Sequence, residues 1–152
     1  MGMHVPGERM ELRTEVEIDA SASAVWQALT DFSRYPEWNP FIASVEGDCA
    51  PGRRLKITLT LPGGQERTPR VMLLTFDPPH ELRWRERVLF GVMLEWEHFF
   101  KLTESSDGRT RLMQGANYRG WAVRYMGSGF TAIARGFAGM NQALKRRVER
   151  KT

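Results

Sequence analysis

The segment FTAIARGFAGMNQALKRRV, residues 130–148, carries the clearest periodic pattern in the chain. Its large apolar residues recur three or four positions apart, as Phe130, Ile133, Phe137, Met140, Leu144 and Val148. This spacing predicts one face of a long amphipathic helix. Beside it runs a stripe of small residues, namely Ala132, Gly136, Gly139 and Ala143. We expect this stripe either to let the helix approach its neighbours closely or to leave open space beneath it.

The chain before this helix reads mostly as strands, in which apolar and polar residues alternate. Seven runs fit, over residues 11–18, 41–46, 54–61, 71–76, 82–88, 94–103 and 110–119. A short helix is predicted at 22–30, after several residues that can cap its start. Because short turns join neighbouring runs, an antiparallel meander is expected. We predict a single α+β domain over 8–150, preceded by a flexible tail over 1–7.

Length and composition exclude several classes of protein. The chain has 152 residues, the size of one domain, and its single cysteine, Cys49, cannot form an intramolecular disulfide. A lone cysteine fits a reducing cytoplasm. No apolar run approaches the ~20 residues of a membrane span, and the N-terminus lacks the apolar core of a signal peptide. We therefore predict a cytoplasmic protein without a membrane span.

Basic residues form two clusters, and the net charge is +4. The first cluster alternates with strand residues, and the second follows the predicted helix: Arg83, Arg85 and Arg87, then Lys145, Arg146, Arg147, Arg150 and Lys151. Such clusters can bind phosphates. Both also fit solvated faces, and no aromatic residues are interleaved with the basic tail. We therefore expect no nucleic-acid partner; binding that weakens steeply with added salt would indicate one.

Four stretches resemble one known family. They are VWQALTDF (25–32) running into YPEWNPF (35–41); VEG (45–47) followed by Pro51, Gly52 and Leu55; ELRW (81–84); and GFAGMNQALK (136–145). Over about residues 12–150 the chain resembles the START-like, or SRPBCC, proteins, in particular the polyketide cyclase/dehydrase and lipid-transport branch. The resemblance implies a helix-grip (START/Bet v 1-like) fold. In that fold a curved antiparallel sheet of about seven strands wraps around a long C-terminal helix, with short helices after the first strand.

The resemblance also implies an elongated, mostly apolar cavity between sheet and helix. Family members bind lipids, sterols, polyketides or plant hormones there; some catalyse cyclisation or dehydration, and others are carriers. From the inward strand faces and the helix we predict these ligand-binding residues: Trp38, Phe41, Ile57, Leu59, Met72, Leu74, Trp84, Trp96, His98, Gln114, Tyr118, Phe130, Ile133 and Phe137. The alternative for each of them is that it simply fills the core.

Two predicted inward residues are candidates for acid–base chemistry. Glu86 shares a strand face with Trp84, and His98 lies on the next strand. A buried carboxylate needs a partner, an open position or a raised pKa, and a Glu86–His98 pair would suit enolisation or dehydration. Relatives often carry a glutamate where this chain has Ala116, so the resemblance favours binding over catalysis.

The stretch YPEWNPF holds more aromatic surface than a turn needs. Pro36 and Pro40 bias the preceding residues, Tyr35 and Asn39, toward extended conformations. Asn39 is suited to cap a turn. We expect Trp38 to be largely buried, close to the C-terminal helix or the mouth of the cavity.

Metal and cofactor chemistry find no support in the sequence. The three histidines show no ligand spacing, no glycine-rich phosphate loop follows a strand, and Cys49 lies in a predicted turn. We predict no metal and no cofactor, in a monomer or homodimer whose partner is a small hydrophobic molecule. The leading hypothesis is a binding protein for a lipid-, polyketide- or aromatic-like ligand. The alternative is a cyclase, dehydratase or isomerase acting in the same cavity.

Overall fold

The computed structural model describes residues 9–150, so the tail predicted over 1–7 lies outside the described residues. Strands β1 to β8 cover Arg9–Ile18, Ile42–Glu46, Arg54–Thr60, Glu66–Arg67, Arg70–Asp77, Glu81–Val88, Leu94–Glu104 and Thr110–Arg119. Helices α1, α2 and α3 cover Ala22–Thr30, Tyr35–Trp38 and Gly127–Glu149. Short 3₁₀ turns lie at Phe32–Arg34, Leu89–Gly91 and Trp121–Tyr125. The predicted strands and both predicted helices are therefore confirmed, while β4 and α2 are additions.

The strands form one antiparallel sheet in the order β1-β8-β7-β6-β5-β3-β2, with the two-residue β4 paired to β3. The sheet curls around α3, which contacts β1, β8 and α1. Because β1 pairs along its whole length with β8, the first strand closes against the last. The predicted helix-grip architecture is confirmed.

Helix α3 buries the face that its spacing predicts. Phe130, Phe137, Met140, Leu144 and Val148 are all buried, and Ile133 is half-buried against the core. At the other end of the chain, Ser21 caps α1 by accepting a hydrogen bond from the Ala24 amide at 3.2 Å. Apolar spacing of this kind stabilises a helix mainly through the packing of one face.

Strand β5 presents the opposite face to the one that we predicted. Val71 and Leu73 are fully buried, whereas Met72 is half-buried and its sulfur accepts a hydrogen bond from Arg85 at 3.9 Å. Arg85 follows the buried Trp84, so Met72 lies on the outer face. An irregularity between Leu73 and Thr75 shifts the register. The prediction of Met72 as an inward residue is wrong, because a nearly all-apolar strand carries no polar residue to mark its outer face.

The YPEWNPF stretch contains one helical turn instead of an extended loop. Tyr35 has φ −54° and ψ −39°, so the predicted extended conformation is wrong there. Pro36 occupies the first turn of α2, where its missing N–H costs no hydrogen bond. Tyr35 is fully buried and its hydroxyl donates to the Leu29 carbonyl oxygen, while Trp38 is half-buried. The buried aromatic residues of this stretch are therefore Tyr35 and Phe41, and the expectation that Trp38 is largely buried is wrong.

Asn39 ends this turn as predicted. It is extended, with φ −87° and ψ 111°, and its Oδ1 accepts from the backbone amides of Phe41 at 3.0 Å and Ile42 at 2.8 Å. These bonds turn the chain into β2 and direct Phe41 toward α3, where its ring meets Phe137 edge-on at 5.6 Å.

The small-residue stripe of α3 permits this approach. A Cβ on Gly136 would stand 2.3 Å from the Phe41 ring, whereas a Cβ on Gly139 would come no closer than 4.0 Å to Pro40. Of the two interpretations of the stripe, close approach holds at Gly136. The backbone of α3 therefore serves as the surface on which Phe41 packs.

We expect Gly136→Ala to destabilise the fold by about 1–3 kcal/mol, because the buried Phe41 ring must shift to admit a methyl group. Gly139→Ala is the matched control on the same helix and should stabilise the fold by up to about 1 kcal/mol, through helix propensity. Urea unfolding of both variants measures the difference. Equal effects of the two substitutions would contradict the close packing of Phe41 on Gly136.

Candidate functional site

A cavity of about 350 Å³ lies between the N-terminal half of α3 and the ends of β3, β7 and β8. Its wall is mostly apolar, with a few polar side chains. Gln65, Arg67 and Ser128 are exposed and mark its open side, whereas His98 is buried. The lining residues are Phe41, Leu59, Leu61, Pro62, Gln65, Arg67, Pro69, Leu94, Trp96, His98, Tyr118, Met126, Ser128, Gly129, Ala132, Ile133 and Phe137.

A chain of hydrogen bonds between side chains runs from the cavity wall into the core. His98 Nε2 lies 2.9 Å from Gln114 Oε1. The amide nitrogen of Gln114 donates to Asn141 Oδ1 at 2.6 Å and to the Phe137 carbonyl oxygen at 3.3 Å. Asn141 Nδ2 donates to Thr14 Oγ1 at 2.8 Å, and Thr14 Oγ1 donates to the Gln114 carbonyl oxygen at 2.7 Å. The chain joins β1, β7 and β8 to α3.

Strand register places these groups together. Gln114 lies opposite Thr14 in the β1–β8 pair and opposite Phe100 in the β7–β8 pair. Its side chain is fully buried. Asn141 follows Phe137 by four positions, so both face β8 from the same side of α3. The side-chain amide of Gln114 can therefore bond to β7 and to α3, while its backbone oxygen bonds to Thr14 on β1.

The imidazole of His98 is held between aromatic rings. Its centroid lies 4.6 Å from that of Phe100 and 4.7 Å from that of Phe137, each at 30°. The Trp84 ring meets it edge-on at 5.3 Å. Burial lowers the pKa of His98 to about 4, although the hydrogen bond with Gln114 acts in the opposite direction. His98 is therefore neutral at neutral pH.

Tyr118 supplies a second polar group to the cavity wall. Its ring stacks on Trp96 at 6.3 Å and meets Phe130 edge-on at 5.0 Å. Burial raises the pKa of Tyr118, and the nearby positive charge of Arg67 opposes that rise. The hydroxyl therefore stays protonated and can donate as well as accept a hydrogen bond.

Half of the predicted ligand-binding residues border the cavity, namely Phe41, Leu59, Trp96, His98, Tyr118, Ile133 and Phe137. Four others lie behind that wall in the core: Ile57, Trp84, Gln114 and Phe130 are 0–6% exposed and do not line the cavity. The inward direction of these residues is correct. Neighbouring side chains cover these four residues, so they fill the core. This is the alternative that the sequence left open for each of them.

Three predicted residues lie elsewhere. Met72 and Leu74 belong to β5, and neither borders the cavity. Met72 lies on the outer face of the strand, and Leu74 lies at the irregularity that shifts the register between Leu73 and Thr75. Trp38 packs its ring on Tyr35 at 5.2 Å and borders a surface groove beside Ala143 and Arg147 of α3. It does lie close to the C-terminal helix, as expected, but on the outside of the molecule.

Glu86 and His98 do not form the predicted acid–base pair. Glu86 lies opposite Trp96 in the β6–β7 register and accepts a hydrogen bond from the indole Nε1 at 2.7 Å. His98 lies opposite Trp84 instead and bonds to Gln114. Glu86 thus positions a ring of the cavity wall without bordering the cavity itself.

Several lining residues were missed. Leu61 and Leu94 lie on the inward faces that alternation indicates, but they were not included among the predicted ligand-binding residues. Gln65 and Arg67 belong to the short β3–β4 hairpin, and Met126 lies in the turn before α3. Neither segment is long enough to show a period, so no sequence pattern marks these residues as part of a cavity.

Ion pairs occupy much of the outer face of the sheet. Arg83 bonds Glu81 at 2.8 Å and Glu97 at 3.0 Å, and Glu95 accepts from Arg87 at 2.8 Å and also from Arg119. In the C-terminal cluster, Lys145 pairs with Glu149 and Arg147 with Glu37, while Lys151 lies outside the described residues. These pairs support the interpretation of both basic clusters as solvated faces.

The curled antiparallel sheet around α3, with an apolar cavity between them, defines a helix-grip domain. The family model described as polyketide cyclase / dehydrase and lipid transport matches residues 9–149. The chain belongs to this family, as the sequence resemblance predicted. A comparison with curated protein sequences gives no match.

Solved structures share the fold at low sequence identity. The di-domain ARO/CYC protein BexL from the BE-7585A biosynthetic pathway matches with a TM-score of 0.77 and 18% identity, over 97% of this chain and 52% of that one. This chain thus spans about half the length of BexL. Zhui aromatase/cyclase from Streptomyces sp. R1128 matches with a TM-score of 0.71 and 17% identity, over 94% and 95% of the two chains. A norcoclaurine synthase point mutant from Thalictrum flavum, in complex with a transition state analogue, gives 0.73 and 16%, over 98% and 100%.

No helix within residues 9–150 is long and apolar enough to cross a membrane. Within the same range, no three side chains of histidine, cysteine, aspartate or glutamate are grouped so that they could hold a metal ion.

Protonation of His98 should make stability depend on pH. In the unfolded chain an imidazole takes up its proton near pH 6.5, whereas folded His98 does so near pH 4. The unfolded state therefore binds more protons in between, so the stabilisation is complete above this interval and is lost as pH falls through it. Between about pH 6.5 and pH 5 we expect a loss of about 1.6 kcal/mol.

Urea unfolding across this interval measures the loss, above the range in which carboxylates titrate. His98→Phe should remove most of the slope. His80→Gln, at an exposed turn, is the control and should retain it. A wild-type stability that stays flat across the interval would show that His98 is not buried in its neutral form.

Proposed function

We propose that this protein binds a small, largely apolar ligand in the cavity between the sheet and α3. The observation that carries the proposal is the cavity itself, which has a volume of about 350 Å³, an apolar wall and a few polar side chains. Pockets that hold small molecules have this composition, and their volumes begin at about 300 Å³. A cavity at the lower end of that range suits a ligand of about two fused rings better than a long-chain lipid.

Aromatic side chains favour an aromatic or polyketide-like ligand. Phe41, Trp96, Tyr118 and Phe137 all border the cavity, and their rings can stack on a flat ligand or meet it edge-on. Trp96 is held in place by its bond to Glu86, and Phe41 by its packing on Gly136. The wall is therefore formed by rings whose orientations are fixed before a ligand enters, which lowers the entropic cost of binding.

The same site gives less support to an acid–base enzyme. None of the described residues that line the cavity is an aspartate or a glutamate. Ala116 lies opposite His98, so that position supplies no acid either. His98 could still act as a base, and the solved structures with this fold include an aromatase/cyclase. Cyclisation or dehydration remains the second candidate, and ligand binding is the function that the contacts favour.

Filling the cavity should abolish binding. Ala132 borders the cavity, whereas Ala138 is exposed on the same helix. We expect Ala132→Phe to weaken binding of the apolar fluorophore N-phenyl-α-naphthylamine by at least about tenfold, since the new ring occupies the ligand's volume. Ala138→Phe adds the same ring outside and should leave binding unchanged.

Fluorescence titration measures both affinities, and thermal unfolding checks that each variant is folded. Phe90 is 96% exposed and could attract the probe at the surface, so Phe90→Ser serves as a second control that should keep full binding. Equal binding by wild type and folded Ala132→Phe would rule out the cavity as the site.

A further inference from the structure

The hydrogen bonds around Gln114 determine which atoms carry protons. Its amide nitrogen lies 3.3 Å from the backbone oxygen of Phe137 and 2.6 Å from Asn141 Oδ1. A carbonyl oxygen can only accept, so the group facing Phe137 must be the NH₂. The Oε1 atom of Gln114 therefore faces His98, and it too can only accept. It follows that His98 carries its proton on Nε2, 2.9 Å away.

The far end of the chain agrees with this assignment. Thr14 donates its hydroxyl proton to the Gln114 backbone oxygen at 2.7 Å, so Thr14 Oγ1 is left to accept from Asn141 at 2.8 Å. The NH₂ group of Asn141 must then face Thr14. The Oδ1 atom of Asn141 consequently faces the NH₂ group of Gln114. Rotating either amide by half a turn would place oxygen against oxygen. Two backbone carbonyls thus anchor the chain.

The remaining nitrogen of His98 is therefore a defined acceptor. Neutral imidazole with a proton on Nε2 has its lone pair on Nδ1. Among the described residues no side chain or backbone group bonds to Nδ1. Phe100 and Phe137 stack against the ring, and the bond to Gln114 fixes one edge, so the ring cannot rotate freely. His98 borders the cavity.

We propose that His98 Nδ1 selects ligands bearing a hydroxyl donor, and thus that the cavity takes phenol- or naphthol-type aromatics in preference to their ethers and hydrocarbons. This inference rests on the proposed function. A phenolic hydroxyl loses its hydration when it enters an apolar cavity and regains a hydrogen bond at Nδ1. The methyl ether of the same phenol offers Nδ1 no proton, and the acceptor stays unpaired. Sites that pair a ligand hydroxyl discriminate strongly against analogues that lack it.

The other polar groups of the cavity wall are either exposed or able both to donate and to accept a hydrogen bond. Arg67, Gln65 and Ser128 are exposed at the open side. The Tyr118 hydroxyl can serve a donor or an acceptor equally, so it does not discriminate between a naphthol and its ether. Buried His98 is the lining group whose proton position is fixed by the protein, and the discrimination is assigned to it.

Three ligands with the same ring system test the inference: α-naphthol, α-naphthyl methyl ether and naphthalene. Isothermal titration of wild type should show α-naphthol binding about tenfold or more tightly than the other two. His98→Phe keeps a ring between Phe100 and Phe137 but has no acceptor, and it should bind all three alike. His80→Phe, at an exposed turn, is the matched control and should retain the wild-type preference.

Each outcome decides a different point. Equal binding of the three ligands by wild type overturns the role of His98 and leaves the proposed function standing. A preference for α-naphthol that survives in folded His98→Phe assigns the acceptor elsewhere and also overturns it. Failure of all three to bind overturns the proposed function. If His98→Phe does not fold, nitrogen NMR of wild-type His98 replaces it: Nδ1 must shift on adding α-naphthol and not on adding the ether, and any other pattern refutes the inference.

Discussion

The side-chain amide of Gln114 is the contact on which the site depends, because it joins three elements at once. From β8 it bonds to His98 on β7 and to Phe137 and Asn141 on α3. Each of these groups is buried, and an unpaired buried polar group costs about 1–3 kcal/mol. The position of α3 over the sheet is therefore coupled to the orientation of His98. A helix displaced along its axis would break the hydrogen bonds from the Gln114 NH₂ to Phe137 and Asn141, and that side chain would no longer be held with its oxygen toward His98.

The second constraint is steric and sets the shape of the cavity. Phe41 reaches the backbone of α3 because residue 136 is glycine, and Asn39 turns the chain so that Phe41 points there. Phe41 and Phe137 then form an aromatic corner that borders the cavity. Close packing at Gly136 and open space beside Ala132 occur along one stripe of small residues. Both interpretations of that stripe thus hold, at different turns of the helix.

Local periodicity accounts for what the sequence predicts well. Alternation placed Leu59, Trp96, His98 and Tyr118 inward, and the helical spacing placed Ile133 and Phe137 beneath α3. Alternation failed on β5, because apolar residues on both faces of that strand leave the direction of Met72 undetermined. It also could not separate wall from core, because Trp84 and Ile57 point inward and are covered by side chains from distant parts of the chain. Asn141 interrupts no pattern, so nothing in the sequence links it to Gln114.

We conclude that the protein holds His98 as the neutral tautomer with its proton on Nε2. Long-range proton–nitrogen NMR of the ligand-free protein at about neutral pH tests it directly. We expect a protonated, pyrrole-like signal for Nε2 and an unprotonated, pyridine-like signal for Nδ1. A protonated Nδ1, whether in the other neutral tautomer or in the imidazolium ion, would contradict it.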